Sequence, residues 1–361
     1  MSETLKNVTS KLECPWLSAW PANELESVVT CPVCDSAERT VLHDKLIDNV
    51  FFVAPGKWTL HRCIQCDSAY LDPRPNPESI GKAYGTYYTH TVGAHRDNSV
   101  QVSIYRRWRL MLSNGYLNHR YGTQRQPASR LGKWVAKLLP GQLQAIDNEY
   151  RYLPKPTQNQ RLLDIGCGNG DFLVNAREAG WLVSGVEPDP KAAHAAQHRG
   201  IDVSVGTIDL LASRSNYFDA ITLSHVIEHV HEPKKLLQAV QRLLKPGGIV
   251  YIDTPNIQSH GASEFKQNWR GIETPRHLVL FNPASLMALL CAIGYEDIAI
   301  KRLSAARKGM YIKSRRMEAG KSPYSVEPVK LGWYVRCLLF FSRPKTDKLE
   351  FITLTARKIS L

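Results

Sequence analysis

The sequence predicts an α/β protein built on a doubly wound, mostly parallel sheet of about seven strands, with a small cysteine-rich module and a helical, basic connector ahead of it. Three observations predict this. From residue 161 onward, short apolar runs alternate with helix-length amphipathic runs, which is the rhythm of βαβ units. The stretch RLLDIGCGNGDFL (161–173) passes from Leu162, Leu163 and Ile165 through three glycines into a helix start. Two C-x2-C knuckles, Cys31/Cys34 and Cys63/Cys66, stand 28 residues apart near the N-terminus.

Length and composition set the bounds. With 361 residues and 43% hydrophobic content, the chain can bury a large core and make two domains, or one with appendages. No stretch approaches the ~20 apolar residues of a membrane span, and the start, MSETLKNVTSKLEC, has no apolar signal region, so a cytoplasmic protein is expected. The net charge of +13 is uneven: residues 158–258 carry nine Lys/Arg against eleven Asp/Glu, leaving 37 against 22 elsewhere. No acidic residue occurs from Asn98 to Ile146, where Arg106, Arg107, Arg109, Arg120, Arg125, Arg130, Lys133 and Lys137 lie, and a second basic cluster runs from Lys301 to Lys321. Such asymmetry suits an anionic partner: nucleic acid, a phosphorylated substrate or an acidic membrane surface. A solvated basic face is the plain alternative.

The elements follow in order. Residues 1–30 read as a loosely ordered lead-in and 31–72 as a zinc ribbon. Four thiolates at this spacing close a tetrahedral zinc site with no open position, which implies structure rather than catalysis. The hairpin VFFVAPGKWTLHR, turning at Pro55-Gly56, fills the spacer. Residues 73–157 form the connector: LDPRPNPESIGKAY brings three prolines, and IYRRWRLML puts Ile104, Trp108 and Met111/Leu112 on one helix face. Residues 158–361 carry the main domain. Its strands are expected at 161–165, 182–187, 202–205, 217–223, 248–253, 296–300 and 350–356. Helices fall between them, including DPKAAHAAQHRG, EPKKLLQAVQRLL and 283–293, and insertions lie at 254–282 and 301–349. Ligands of open α/β sheets bind at the carboxyl ends of the strands.

Three features choose the ligand of the glycine turn. Its spacing is GxGxG, not the GxGxxG of dinucleotide folds. Asp164 and Asp171 flank it, repelling a pyrophosphate but suiting a ligand with an ammonium or sulfonium. Glu187 ends the second strand, 23 residues after Asp164, where a carboxylate can accept both hydroxyls of a ribose. A ribose, a positive charge and no pyrophosphate describe S-adenosylmethionine.

LLDIGCGNGDFL, GVEPD, YFDAITLSHVIEHVHEP and LKPGGIVYIDTPN resemble, in order and spacing, the successive motifs of class I S-adenosylmethionine-dependent methyltransferases over about residues 160–300, a Rossmann-like fold. CPVC…CIQCDSAYLDPRP resembles the zinc-ribbon leader of a bacterial subgroup associated with sugar and surface-glycan modification. The resemblance implies that Asp164, Gly166, Gly168 and Gly170 hold the methionine end and Glu187 the ribose hydroxyls. It puts Thr207 and Ile208 near the adenine, with Ser224 and His225 close to the transferred methyl. For Asp171 a helix N-terminal charge effect is the simpler reading.

A sugar hydroxyl is a poor nucleophile and needs a base, for which histidine is well matched near neutral pH. The candidates are His225, Glu228, His229 and His231 after the fourth strand and His277 in the first insertion, with His277 the first choice. Glu228 and His229 recur in relatives with different acceptors, so closing the cofactor pocket is an equal reading for them. A structural role is the equal alternative for His277. Tyr-x-x-His, the pattern of sugar C-methyltransferases, is replaced here by Thr274-Pro275-Arg276. Arg270 and Arg276 are expected to pair with a substrate phosphate or carboxylate. A divalent metal at the reaction centre is not expected, because His225 stands at the first position of the E-x-x-E-H pattern of quinone-pathway enzymes. The function so read is O-methylation, with C-methylation as a variant, of a sugar, glycan or other small anionic acceptor. RNA methylation is the alternative, motivated by the zinc ribbon and the basic 101–140 segment, although SHVIEH replaces the (D/N/S)-P-P-(Y/F) motif of base-amine enzymes. LGWYVRCLLFF (331–341) is read either as a helix in its insertion's own core or as a peripheral contact with the inner face of a membrane.

Overall fold

The computed structural model describes residues 17–85, 103–135, 140–303, 306–329, 331–333 and 345–360. Parts of the expected lead-in and connector, and most of 331–341, lie outside the described residues.

The N-terminal part contains β1 (Leu25–Glu26), β2 (Arg39–Leu46), β3 (Trp58–Cys63), β4 (Ala69–Leu71) and β5 (Arg74–Pro75). β2, β3 and β4 pair as an antiparallel meander, and the folding-back brings the knuckles together. Cys31 Sγ lies 3.7 Å from Cys66 Sγ, and Cys34 Sγ 3.5 Å from Cys63 Sγ. Within the expected lead-in, Trp20 is buried edge-on against Trp58 at 5.5 Å and β1 pairs with β5.

The connector contributes α1 (Ile104–Arg120), α2 (Gly132–Val135) and α3 (Pro140–Glu149). The expected apolar face of α1 is not buried along its first half. Ile104 is 86% and Trp108 55% exposed, and the helix packs instead through Asn114, Gly115 and Leu117.

Beyond it the chain alternates as expected: β6 (Arg161–Ile165), α4 (Asp171–Glu178), β7 (Leu182–Glu187), α5 (Pro190–His198), β8 (Asp202–Val205), β9 (Phe218–Ser224), α6 (Pro233–Leu243) and β10 (Leu244–Pro255). There follow α7 (His260–Phe265), β11 (Val279–Leu280), α8 (Pro283–Ile293), β12 (Tyr295–Lys301), α9 (Ala306–Glu318) and β13 (Phe351–Lys358). The central sheet has seven strands in the order β12-β13-β10-β9-β6-β7-β8. Only β13 runs antiparallel to its neighbours β10 and β12. β6 is buried on both faces, which is why it reads as an apolar run. α6 buries Leu236, Leu237, Val240 and Leu243, a helical stripe. α8 opens on an Asn282–Ser285 capping box and closes on Gly294 at φ 98°.

The first insertion does more than the sequence indicates. β11 pairs antiparallel with β4, Val279 opposite Tyr70, and becomes the fourth strand of the cysteine module's sheet. Asn282 Nδ2 donates to the Cys66 carbonyl (2.7 Å) and Thr274 Oγ1 to the Ile47 carbonyl (3.1 Å). One hydrophobic cluster runs from Trp58 and Leu60 through Leu280 to Leu163 and Val250. The cysteine module and the sheet therefore share a core, and the loop carrying His277 is clamped between them.

Candidate active site

The glycine turn leaves the carboxyl end of β6 with Gly166, Gly168 and Gly170 all at positive φ (66°, 53° and 78°), where L side chains are strained. A Cβ on Gly166 would lie 2.7 Å from Val226 Cγ2, whereas one on Gly168 would meet nothing within 4 Å. Open space therefore borders the turn at its middle glycine, with the N-terminus of α4 behind it. Glu187, at the end of β7 and 8% exposed, accepts from Gly168 N (2.8 Å, Oε2) and Asp189 N (3.0 Å, Oε1). Burial raises its pKa and these amides oppose the rise. The two amides fix the carboxylate and leave lone pairs for a ligand's hydroxyls. An opening beside bare backbone and an oriented carboxylate fit the ribose and methionine ends of S-adenosylmethionine.

Asp164 is fully buried. Oδ1 accepts from Arg151 and, at 2.9 Å, from Thr222 Oγ1, while Oδ2 has no partner. Burial raises its pKa against the pull of Arg151. Its carboxylate is thus engaged by protein before any ligand is. Arg151, stacked 3.7 Å over the Phe172 ring, was invisible in the sequence, being one of several basic residues in the connector; a buried aspartate in need of a cation is the signal that points to it. Asp171 pairs with Arg199 on the surface, in keeping with a charge at a helix start. Thr207 is exposed and donates to Asp209 (2.8 Å), Ile208 is buried, and Ser224 ends β9 in register with Asp253.

The histidines gather beyond β9. His225, at φ 56°, sets Nδ1 3.2 Å from Glu228 Oε1 and Nε2 3.6 Å from Asp253 Oδ2. Desolvation opposes its charge, but the Glu228 hydrogen bond and the two carboxylates outweigh it and raise its pKa to about 9. Glu228 is buried, yet the hydrogen bond from His225 and its charge hold it down at about 2, and its Oε2 accepts from Thr254 Oγ1 at 2.9 Å. His225 is therefore held toward its protonated form between two carboxylates. His231 is turned to the Pro75 carbonyl (2.9 Å) and is structural.

His277 is 5% exposed and donates from Nδ1 to the Gly271 carbonyl (2.7 Å). Burial pushes its pKa down to about 4, so it stays neutral. Its ring meets His229 edge-on at 4.7 Å. His229 Nδ1 lies 3.1 Å from the Arg276 carbonyl and 2.9 Å from Tyr84 Oη. A carbonyl only accepts, so Nδ1 carries the proton and Nε2 holds the lone pair. Glu228, His229 and His277 each bring a ligand atom within 4.8 Å of the others, a set able to hold a cation; Cys31, Cys34, Cys63 and Cys66 form the second such set among the described residues.

Arg270 and Arg276 do not await a substrate anion. Arg276 is fully buried: it pairs with Asp48 and Glu273 and donates to the Ala83 carbonyl (2.8 Å). Arg270 pairs with Glu273 and donates to Tyr324 Oη (2.9 Å). Asp48, Tyr84 and Asp253 were missed because each joins the site from another segment; Glu273 lies beside Arg276 in the sequence, and only its burial against both arginines gives it away.

A pH prediction follows from the His225 clamp. A raised histidine pKa stabilises the fold fully below the unfolded value of 6.5 and loses that contribution as pH rises through about 9. We expect the wild type to lose more thermal stability than His225→Gln between these values. For a half-exposed ring the difference is on the order of 1 kcal/mol, read from melting temperature against pH. Parallel curves would contradict the clamp.

Residues 131–300 match a family model described as a methyltransferase domain. Over 157 residues the chain is 33% identical to the ubiquinone biosynthesis O-methyltransferase of Idiomarina loihiensis, covering 40% of this chain and 65% of the relative. It is 36% identical over 109 residues to the Caulobacter vibrioides protein of the same name, covering 28% and 43%. The chain thus spans less than two thirds of each relative. A methyltransferase structure from Archaeoglobus fulgidus superposes at a TM-score of 0.41 with 20% identity, over 60% of this chain and 93% of that one. The matched segment from 131 to 300 is the one that carries the four motifs and six of the seven strands of the central sheet, and it is similar to a methyltransferase domain.

Proposed function

We propose that the chain is an S-adenosylmethionine-dependent O-methyltransferase acting on a hydroxyl of a sugar, glycan or similar small acceptor. The observation that carries it is the placing of two constellations at the carboxyl ends of adjacent strands: the glycine turn with Glu187 on β6 and β7, and the His229–His277–Glu228 cluster after β9. S-adenosylmethionine supplies an electrophilic methyl on its sulfonium. Glu187 would hold the ribose, and the glycine backbone would lie against the methionine end. His229 takes the acceptor's proton at Nε2 as the new O–C bond forms and the S–C bond breaks. The names of the relatives support oxygen as the acceptor atom, and the resemblance of the leader supports a sugar. With Arg270 and Arg276 sequestered, an anionic acceptor is supported only by the uneven charge.

The same cluster favours a second reading, in which Glu228, His229 and His277 would hold a divalent cation, which would supply Lewis-acid activation of the acceptor oxygen. Activity abolished by EDTA and restored by Mg²⁺ or Mn²⁺ selects this reading; EDTA-resistant activity selects His229 as base.

The four thiols are read as a structural zinc site. One zinc per chain is expected by elemental analysis, and Cys31→Ser should lose it together with folded-state stability of about several kcal/mol. Metal-free wild-type protein with unchanged melting would refute this. The activity itself is tested by following tritiated methyl from S-adenosylmethionine into fractionated lysate of the native host. Label in nucleotide-sugar, lipid-linked or polysaccharide fractions supports the proposal. Label released by RNase, or no label at all, overturns it.

A further inference from the structure

We propose that the N-terminal half of α1, together with Leu131 and Trp134, is a docking surface for an anionic lipid bilayer. Every side chain from Ser103 to Leu110 is exposed, although the run is SIYRRWRL. Ile104 is 86%, Tyr105 72%, Trp108 55% and Leu110 46% exposed. α2 packs against the middle of the same helix, with Gly132 against Leu112 and Tyr116, and adds Leu131 (56%) and Trp134 (60%). Six large apolar side chains are thus exposed on the first half of α1 and the adjoining 131–134 segment, where scattered single ones would need no explanation.

The charges say what covers it. Arg106, Arg107 and Arg109 are exposed among these side chains, Arg130 precedes α2 and Lys133 lies within it, and no Asp or Glu occurs between residues 98 and 146. Three arginines also sit in the first turns of α1, where the helix dipole disfavours cations. Local helix stability does not explain that placement; an anionic surface does. Interleaved arginines, aromatics and aliphatics match the headgroup boundary of a bilayer, with guanidinium groups on phosphates and rings at the interface. Nucleic acid would use the cations and rings but offers no apolar depth for Ile104, Leu110 and Leu131. The proposal is independent of the acceptor's identity and of the reading of 331–341, most of which lies outside the described residues.

Full-length protein is sedimented with vesicles of phosphatidylcholine alone and with vesicles enriched in phosphatidylglycerol. Binding to the anionic vesicles should exceed binding to the neutral ones about tenfold or more and weaken with salt. The double variant Arg106→Glu/Arg107→Glu should lose it, and Trp108→Ala should weaken it on the same vesicles. The matched charge reversal Lys57→Glu/Lys235→Glu, at exposed lysines elsewhere, should keep it. All these side chains are exposed, so unchanged circular dichroism and melting are expected and verify that the variants fold. Equal binding to both vesicle types, no binding, or an arginine variant indistinguishable from wild type overturns the proposal. So does a single-stranded RNA oligonucleotide whose binding depends on Arg106 and Arg107 while vesicles are ignored.

Discussion

Arg276→Met lowers the stability of the folded chain by about 3–5 kcal/mol and removes methyl transfer while leaving cofactor binding in place. Arg276 is fully buried and its guanidinium is satisfied on every side. Both terminal nitrogens meet the Asp48 carboxylate, Nη1 also reaches the Ala83 carbonyl, Nε reaches Glu273, and the plane lies 4.5 Å over the Phe51 ring. Asp48 is buried too, and accepts from Phe51 N, Val53 N and Ala54 N at 3.0–3.1 Å. Methionine fills the volume but leaves the buried Asp48 carboxylate without its cation and Glu273 with Arg270 alone, which is the costly half of breaking a buried pair. Lysine would not rescue it, because the site needs a planar fork with several donors. The effect reaches the chemistry through the chain itself, because Arg276 precedes His277 and its carbonyl holds His229. A melting scan, with cofactor titration below the transition, checks both parts. Asp48→Asn should be destabilising as well, and the double variant less so than the sum of the two, since the pair is coupled. Additive losses would mean that the two groups act separately.

His229→Ala lowers kcat by about 10²–10⁴-fold with little change in affinity for S-adenosylmethionine. Among His225, His229 and His277 it alone combines partial exposure with a lone pair directed by a backbone acceptor. His225 is held protonated between carboxylates, and His277 is buried with its pKa pushed down to about 4. The expected order of losses is therefore His229→Ala, then His277→Ala, then His225→Ala, in steady-state kinetics with a saturating acceptor. A His229→Ala enzyme with full kcat would remove it from proton transfer. His277, the first choice as base from sequence, is better read as the residue that positions His229, because its ring packs edge-on against it.

The sheet was legible because parallel strands buried on both faces must be apolar and must alternate with helices. The turn was legible because positive φ at Gly166, Gly168 and Gly170 demands glycine. Glu187 could be found by its distance along the chain from that turn. The surroundings of the site could not, because they are non-local. Asp48 meets Arg276 across 228 positions, and Tyr84 meets His229 across 145. β11 is two residues long and has no periodicity to read. It forms because β4 offers it an edge, so the insertion's role in joining the cysteine module to the acceptor side emerges only in three dimensions. Arg270 and Arg276 illustrate the opposite error. As residue types they suit a substrate anion, yet Glu273 and Asp48 neutralise them inside the protein.

The glycine turn and Glu187 together form the cofactor site, and calorimetric titration with S-adenosylhomocysteine tests this most directly. One molecule should bind per chain, NAD should not compete, and Glu187→Ala should weaken binding at least about tenfold, the loss of two hydrogen bonds to a charged group. An isotherm without heat for the wild type, displacement by NAD, or a Glu187→Ala variant that binds as tightly as wild type would contradict it.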